Sequence, residues 1–550
     1  MTSQERIKIC GLICLLPALC VAVRLFYLQT FRHSELATKA EGRVYTRTAE
    51  NTFRGRILDR NGVVLAESLR TYAVALSKKN VNNEDALITA LAETLDIKKA
   101  DIKKLWREKK NFFYVKKNVS PLEYERLETR LHAERLLGVE IEPQYTRIYP
   151  YDGIAQDILG AVNSKNKGLS GIELMYNKEL SDEFQSRRVK RARSGGIIYD
   201  KSQLIKPETA DIFLTIDAMG QYYTESALKQ YAREHRVKSA FAIVQDSATG
   251  EILAAASYPA MDGRSLPFQF SYEPGSTFKT IAIAAALDSG AIRPNDTVSM
   301  DDNKWTVSGI VIKDHQKKPA LTISEILEVS SNIGAAKIAH NLGAKNMYTY
   351  IKKFGFGVRS NVGFLGEQSG ILRDHPRWQP VDTAKAGYGY TVSATGVQIV
   401  SAYSAIANGG TLMAAHLIDK VKFADGKELV LSEPLRVRRV LSEGAALQMK
   451  KFLKNVVDLG TGRPAKIAGY GVAGKTGTTE KLDIDGKYGR DLHIASFCGF
   501  VPLDNPRFTV LVVLDEPEKA LFGSVSASIF ADIATKFLTL YAVEPDGGEK

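Results

Sequence analysis

Cysteine is nearly absent from this 550-residue chain: Cys10, Cys14 and Cys20 cluster at the start and Cys498 is the only one after them. No intramolecular disulfide can therefore brace the main body. Paired cysteines and the His-x-x-x-His spacing of helical metal sites are also missing, so neither metal nor cofactor is expected. Long uncharged apolar runs are scarce too, which excludes a polytopic membrane protein, while an apolar share of 44% excludes a disordered one. The balance of charge is +12, which suits anionic surroundings such as lipid headgroups or wall polymers and, taken alone, nucleic acid equally.

The one apolar run, Ile9 to Val23, continues past Arg24 through Leu25, Phe26, Tyr27 and Leu28. Residues 9–28 are about one bilayer thickness of helix, with Arg24 placed to snorkel and Phe26 and Tyr27 to sit at the interface. A single membrane anchor after a short segment 1–8 is predicted. A cleaved signal peptide is disfavoured because Ala18-Leu19-Cys20 is a poor cleavage site.

A chain of this length holds about three or four domain-sized units, and its character changes near residue 205. Residues 40–205 read as structural. Asn61-Gly62 between β-prone runs predicts a hairpin, and charged helical sequence follows from about residue 83 to 136. The basic run Arg187 to Arg193 lacks interleaved aromatics and reads as a solvated loop rather than a nucleic-acid site. Residues 206–541 read as a mixed α+β or α/β layer, opening with strands at Ala240–Asp246 and Glu251–Ser257, and 542–550 as a flexible tail. Cys498 sits in a strand-like apolar run, which argues against a thiol nucleophile paired with His493.

Chemistry concentrates in three segments. Pro274-Gly275 breaks the chain just before Ser276, and an almost wholly apolar helix follows, so Ser276 and Lys279 share a face with Cβ atoms about 5–6 Å apart. A lysine acts as base only when neutral, and lowering its pKa from about 10.4 to near 7.5 takes about 4 kcal/mol. A second ammonium about 4 Å away, at an effective dielectric of about 20, supplies on the order of 4 kcal/mol. The helix N-terminus and burial add to it. Lys475 is the candidate, in Gly474-Lys475-Thr476-Gly477-Thr478 on a predicted edge strand. There Lys475, Thr476 and Thr478 would bind a carboxylate, and Gly477 would admit a substrate backbone. Between the two lies Ser330-Ser331-Asn332, after a capping box at Thr322-Ile323-Ser324-Glu325. Ser330 is placed to relay a proton and Asn332 to bind a substrate amide. Ser164-Lys165-Asn166-Lys167 also fits Ser-x-x-Lys, but in a polar loop without an apolar helix behind it.

Ser-x-x-Lys, Ser-x-Asn and Lys-Thr-Gly in this order form a specific constellation. On it, and on Arg54-Gly55-Arg56-Ile57-Leu58-Asp59-Arg60-Asn61-Gly62, Gly171-Ile172-Glu173 and Leu214-Thr215-Ile216-Asp217, the chain resembles the class B penicillin-binding proteins over nearly its whole length. The resemblance implies an antiparallel sheet flanked by helices, mounted on an elongated N-terminal pedestal and anchored once in the inner membrane, with the bulk of the chain outside. It implies a peptidoglycan D,D-transpeptidase inhibited by β-lactams. Ser276 would be acylated by a D-Ala-D-Ala donor, Lys279 would be its base, Ser330 a proton relay and Asn332 the donor's guide. Lys475, Thr476 and Thr478 would hold the donor carboxylate, backbone amides of Ser276 and Thr478 the oxyanion, and an amine on a neighbouring stem peptide would resolve the acyl-enzyme. Ser330-Ser331-Asn332-Ile333-Gly334 and Gly387-Tyr388-Gly389-Tyr390 look more like the division type than the elongation type, and the resemblance implies a SEDS-type polymerase and division proteins as partners.

The family's Gly-rich stretch after Tyr176 is replaced by Ser181-Asp182-Glu183-Phe184 and the basic run. A β-lactamase would need a second base, for which Glu367 lies in the right interval, but Glu367-Gln368-Ser369 lacks the asparagine such a site carries and leaves the N-terminal half unexplained. A scaffold or antibiotic-sensing receptor that keeps the motifs without turnover is the nonenzymatic alternative.

Overall fold

The computed structural model describes residues 17, 20–30, 32, 45–47, 53–181, 188–191, 197–198, 209–314, 316–482, 488–518 and 523–546. Of the anchor expected at 9–28, residues 9–16, 18 and 19 lie outside them. Residues 20–30 are helical and mostly exposed. Among the described residues no helix is long and apolar enough to cross a membrane. Of the tail expected at 542–550, residues 547–550 lie outside the description, as do the side chains of the basic run, whereas 542–546 are held to the second unit, with Asp546 accepting from the Gly471 and Leu503 amides at 2.7 and 3.0 Å.

Two compact units form. Residues 70–146 belong to the first, and residues 53–69, 147–181 and 208–550 make up the second. In the first, the end of strand β1 (Val64–Ser77) pairs antiparallel with β2 (Phe112–Val119), in a register that sets Leu76 opposite Phe113. Helices α1 (Glu84–Leu95), α2 (Lys99–Glu108) and α3 (Pro121–Ala133) build its core with these strands, from Val74, Leu76, Leu87, Leu91, Ile102, Phe113 and Leu127. Ser120 and Glu123 start α3 with a reciprocal capping box.

The second unit is built on an antiparallel five-stranded sheet. Its strands are β3 (Ser239–Asp246), β4 (Ile252–Tyr258), β5 (Ala473–Leu482), β6 (Tyr488–Val501) and β7 (Phe508–Asp515), in spatial order β4-β3-β7-β6-β5. Alternate residues serve two cores. Ala240, Ala242 and Val244 pack with α4 (Ala218–Glu234) and the C-terminal helix Ser524–Leu540, whereas Phe241 and Ile243 pack with α5 (Lys279–Asp288) and the helix Gly396–Ala407. A sheet covered on both faces reads as continuous apolar sequence, which is why β3 and β7 show no polar alternation. Truncating Phe241, 2% exposed, would cost about 3–5 kcal/mol.

The Asn61-Gly62 hairpin forms as predicted, with Ile57 paired to Ala66 and Gly62 at φ 84°. In the same unit Glu173 binds two guanidinium groups, Arg54 at 2.7 Å and Arg147 at 2.6 Å. Arg54 also donates to the Asn166 and Glu173 carbonyls and to Asn177 Oδ1, each at 2.8 Å. Residues far apart in sequence are fastened together by this one anion.

Candidate active site

Ser276 lies in a tight turn, Gly275–Phe278, that runs straight into α5. Gly275 has φ 54°, and a Cβ there would come within 2.1 Å of Thr479 Oγ1, so only glycine lets the serine turn press against β5. Lys279, one turn on, points back to place its Nζ 3.0 Å from Ser276 Oγ. Every residue from Lys279 to Ala286 is buried, which fixes the direction of that side chain.

Ser330 enters from the break between α6 (Ile323–Glu328) and α7 (Asn332–Leu342). The Thr322–Glu325 capping box starts α6 as the sequence predicted. Ser330 itself adopts φ 58°, a left-handed conformation that costs a non-glycine residue on the order of 1–3 kcal/mol. That strain turns both its carbonyl and its hydroxyl toward Lys279 Nζ, at 2.6 and 3.1 Å, while Asn332 Oδ1 lies 2.8 Å from the same nitrogen.

Lys475 comes from β5, the sheet's terminal strand, as expected. Its Nζ lies 3.0 Å from Ser330 Oγ, 3.0 Å from the Thr476 carbonyl and 3.4 Å from Thr476 Oγ1. One hydroxyl thus bridges two lysines, both fully buried, under the partly exposed Ser276, Ser330, Asn332 and Thr478.

Burial lowers the Lys279 pKa to about 7, against the opposing pull of the Asp314 carboxylate. Lys475 is lowered well below its ordinary value, first by burial and then by the charge of Lys279. The sequence assigned the depression of Lys279 chiefly to its neighbour's charge, with burial and the helix N-terminus adding to it. In the folded protein dehydration does that work, since Lys279 is fully buried, and the repulsion falls on Lys475. Two ammonium groups sharing one hydroxyl in a dry site titrate as a pair.

Gly477 has a packing role that the sequence did not show. A Cβ there would meet Ser496 Oγ at 2.3 Å and Thr277 Cγ2 at 2.9 Å, so close packing of β5 on the serine turn itself demands glycine. Thr478 Oγ1 accepts from Gly523 N at 3.4 Å.

Two residues went unnoticed in the sequence. Asp314 accepts from the Asn332 and Ile333 amides at 2.6 and 3.1 Å and from Ser331 Oγ at 2.5 Å, so it caps α7 and holds the strained Ser330 loop. No local pattern marks it. Thr461 bonds Thr476 Oγ1 at 2.8 Å, and its signal is the flanking Gly460 and Gly462, which read as an exposed turn. Glu367 accepts from the Ser360 amide at 2.6 Å and from its hydroxyl, a loop staple rather than a water-activating base. Cys498 is buried in β6 and burial pushes its thiol up, which disarms it as a nucleophile.

Residues 240–535 match the family described as the penicillin binding protein transpeptidase domain, and residues 49–211 match the penicillin-binding protein dimerisation domain. The chain is 29% identical to the probable peptidoglycan D,D-transpeptidase PenA of Neisseria gonorrhoeae, over 99% of this chain and 94% of that one. Stage V sporulation protein D of Bacillus subtilis is 30% identical over 99% of this chain and 87% of its own. The peptidoglycan D,D-transpeptidase FtsI of Escherichia coli is 28% identical over 98% and 92%. Among solved structures, penicillin binding protein 2X of Streptococcus thermophilus superposes with a TM-score of 0.78 at 23% identity, covering 90% of this chain and 80% of that one. Penicillin binding protein 3 of Mycobacterium tuberculosis, complexed with aztreonam, gives 0.69 at 22%, covering 90% and 98%.

Proposed function

Because the chain belongs to the penicillin-binding protein transpeptidase family, as a class B peptidoglycan D,D-transpeptidase, we propose that Ser276 is its acylated nucleophile and Lys279 the base that activates it. The observation that carries this reading is the 3.0 Å contact between Lys279 Nζ and Ser276 Oγ in a site that drives the lysine toward neutrality.

Hydrogen-bond inventory supports Lys279 as the lysine that gives up its proton. Neutral Lys279 has two N–H groups, which match the two acceptors that carry no proton, the Ser330 carbonyl and Asn332 Oδ1, while Ser330 Oγ, 3.1 Å from the same nitrogen, is left to accept from Lys475. Its lone pair is then left for the Ser276 hydroxyl. Lys475 faces three acceptors, Ser330 Oγ, the Thr476 carbonyl and Thr476 Oγ1, the complement of an ammonium. Burial and the charge of Lys279 lower Lys475 in the free site, and the donor's terminal carboxylate, held with help from Thr476 and Thr478, offsets that and draws the cation of the pair onto Lys475.

Acylation then proceeds as Lys279 takes the Ser276 proton and Oγ attacks the penultimate D-Ala carbonyl. The Ser276 and Thr478 amides stabilise the oxyanion, and the proton passes through Ser330 to the leaving D-alanine amine. Asn332 orients the donor peptide, and the amine of a second stem peptide expels Ser276 with the same groups acting in reverse. β-Lactams stop at the first step, since their acyl-enzyme keeps its tethered leaving group. Ser276→Ala abolishes labelling by a fluorescent penicillin, and equal labelling of both proteins would remove the assignment.

A pedestal of residues 40–205, a transpeptidase domain of 206–541 and an inner-membrane anchor at 9–28 complete the proposal. Ser330-Ser331-Asn332-Ile333-Gly334 favours a septal role with a SEDS-type polymerase. A tagged chain gathering at midcell supports it, whereas even sidewall distribution turns the assignment to elongation. Cross-linked product made by the purified chain with its polymerase separates a turning-over enzyme from a receptor.

A further inference from the structure

Ser276 and Lys279 are three residues apart, a spacing that brings two side chains into line in only one kind of helix. In an α-helix the residue three places on is rotated by about 60° from the first, whereas in a 3-10 turn, with three residues per turn, the two eclipse. The turn Gly275–Phe278 is of the second kind, and the Lys279 amide closes it on the Ser276 carbonyl just where α5 begins. Hydrogen-bond geometry in such a turn is the poorer of the two, so it needs outside support to stay distinct from the helix it opens.

Support comes at both ends. Gly275 N donates to the Gly389 carbonyl at 3.2 Å and Thr277 Oγ1 to the Pro274 carbonyl at 2.8 Å, which fixes the entry. At the exit, Tyr403 reaches across from the helix Gly396–Ala407, and its hydroxyl donates to the Thr277 carbonyl at 2.8 Å. With its one proton spent there, the same oxygen accepts from Thr280 Oγ1, also at 2.8 Å. Tyr403, Thr277 and Thr280 are each no more than 1% exposed. The nearby Cys498 thiol and Tyr272 phenol are held neutral by burial and add no charge. Dehydrating a phenol is costly, and phenylalanine would fill the same space without that cost. Yet both bonds that this hydroxyl makes among the described residues go to the segment carrying Ser276 and Lys279.

We propose that Tyr403 is a positioning residue for acylation: through the Thr277 carbonyl its hydroxyl holds the serine turn in the 3-10 form and keeps Ser276 Oγ in line with Lys279 Nζ. Without that hydroxyl Thr280 loses its acceptor, and a threonine in a helix turns instead to the carbonyl four residues back, here that of Ser276. A bond there loads the carbonyl on which Lys279 N closes the turn and swings the serine off its base. A misplacement of about 1 Å costs on the order of 10^2 in rate. The inference rests on Ser276 and Lys279 as nucleophile and base.

Stopped-flow acylation of the full chain in detergent by a fluorescent penicillin separates binding from bond formation. In Tyr403→Phe the acylation rate constant is expected to fall by roughly tenfold to 10^2-fold, while the dissociation constant of the preceding complex and the midpoint of the pH profile keep their wild-type values. A merely structural role would lower the amount of protein that labels and leave the rate constant of the labelling molecules alone. Thr280→Val, which leaves the bond to Thr277 in place, is expected to lose less than Tyr403→Phe. A wild-type rate constant in Tyr403→Phe, an equal loss in the two variants, or a Tyr403→Phe chain that does not fold overturns the proposal. If the wild type itself takes no label on Ser276, the nucleophile assignment falls and this inference with it; if the wild type labels and Tyr403→Phe matches its rate, only the inference falls.

Discussion

Two clusters of buried charge lie in the second unit, and they are built on opposite rules. Around Glu173, one carboxylate answers two guanidinium groups and the neighbouring carbonyls take up most of the remaining donors. Around Ser330, two lysines meet one hydroxyl and the nearest carboxylate, Asp314, is occupied by Ser331 and two backbone amides. Burial is equally deep in both. Depth therefore does not mark the reactive site; uncompensated like charge, with a proton forced off, does.

Breaking the two clusters should have contrasting consequences. Ser276→Ala is expected to reduce acylation by on the order of 10^6, below detection by penicillin labelling. Lys279→Met follows, with a loss of roughly 10^3-fold or more in the acylation rate while circular dichroism stays native. Arg54→Ala leaves the buried Glu173 carboxylate with Arg147 alone and removes the bonds Arg54 makes to three neighbours, so it should lower stability by about 3–5 kcal/mol in denaturant titrations, with acylation per folded molecule unchanged.

Stability should move the other way at the lysines. The folded pKa of Lys279, about 7, lies below its unfolded value of 10.5, so the unfolded state binds more protons between these limits. Stability therefore rises as pH climbs through that window, and Lys279→Met, which removes the penalty, should stabilise the protein by about 1–2 kcal/mol near neutral pH. A destabilised Lys279→Met protein would erase the contrast between the clusters. The smallest effect expected is that of Asp314→Asn. Its carboxylate raises the Lys279 pKa, so its loss should shift the acid limb of the acylation profile to lower pH, visible in rates measured at several pH values.

The sequence carried the parts of the site that local geometry dictates. Ser276 and Lys279 are one helical turn apart behind a Pro-Gly break, and the Thr322–Glu325 box announces α6, so spacing alone places these groups. The edge strand of Lys475 could be read from small and polar residues ahead of an apolar strand. Asp314 could not, because its bonds to Ser331 and Asn332 cross a loop that no periodicity describes. Nor could the grouping of 53–69 and 147–181 with the catalytic half, which follows from Glu173 reaching back to Arg54 across 119 residues. The packing role of Gly477 was missed because a side chain's absence does not reveal which neighbour requires it. The source of the Lys279 shift was misassigned for a similar cause: sequence order shows that two cations share a site, but not how completely one of them is dried.

The central claim is that a neutral Lys279 is the base beside Ser276 while Lys475 keeps the cation. The pH dependence of the rate constant for acylation by a fluorescent penicillin tests it most directly. The account predicts a rate that rises tenfold per pH unit below about 7 and levels off above it. A rate that is flat from acid to alkaline pH, or that keeps climbing toward the ordinary lysine pKa of 10.5, would contradict it.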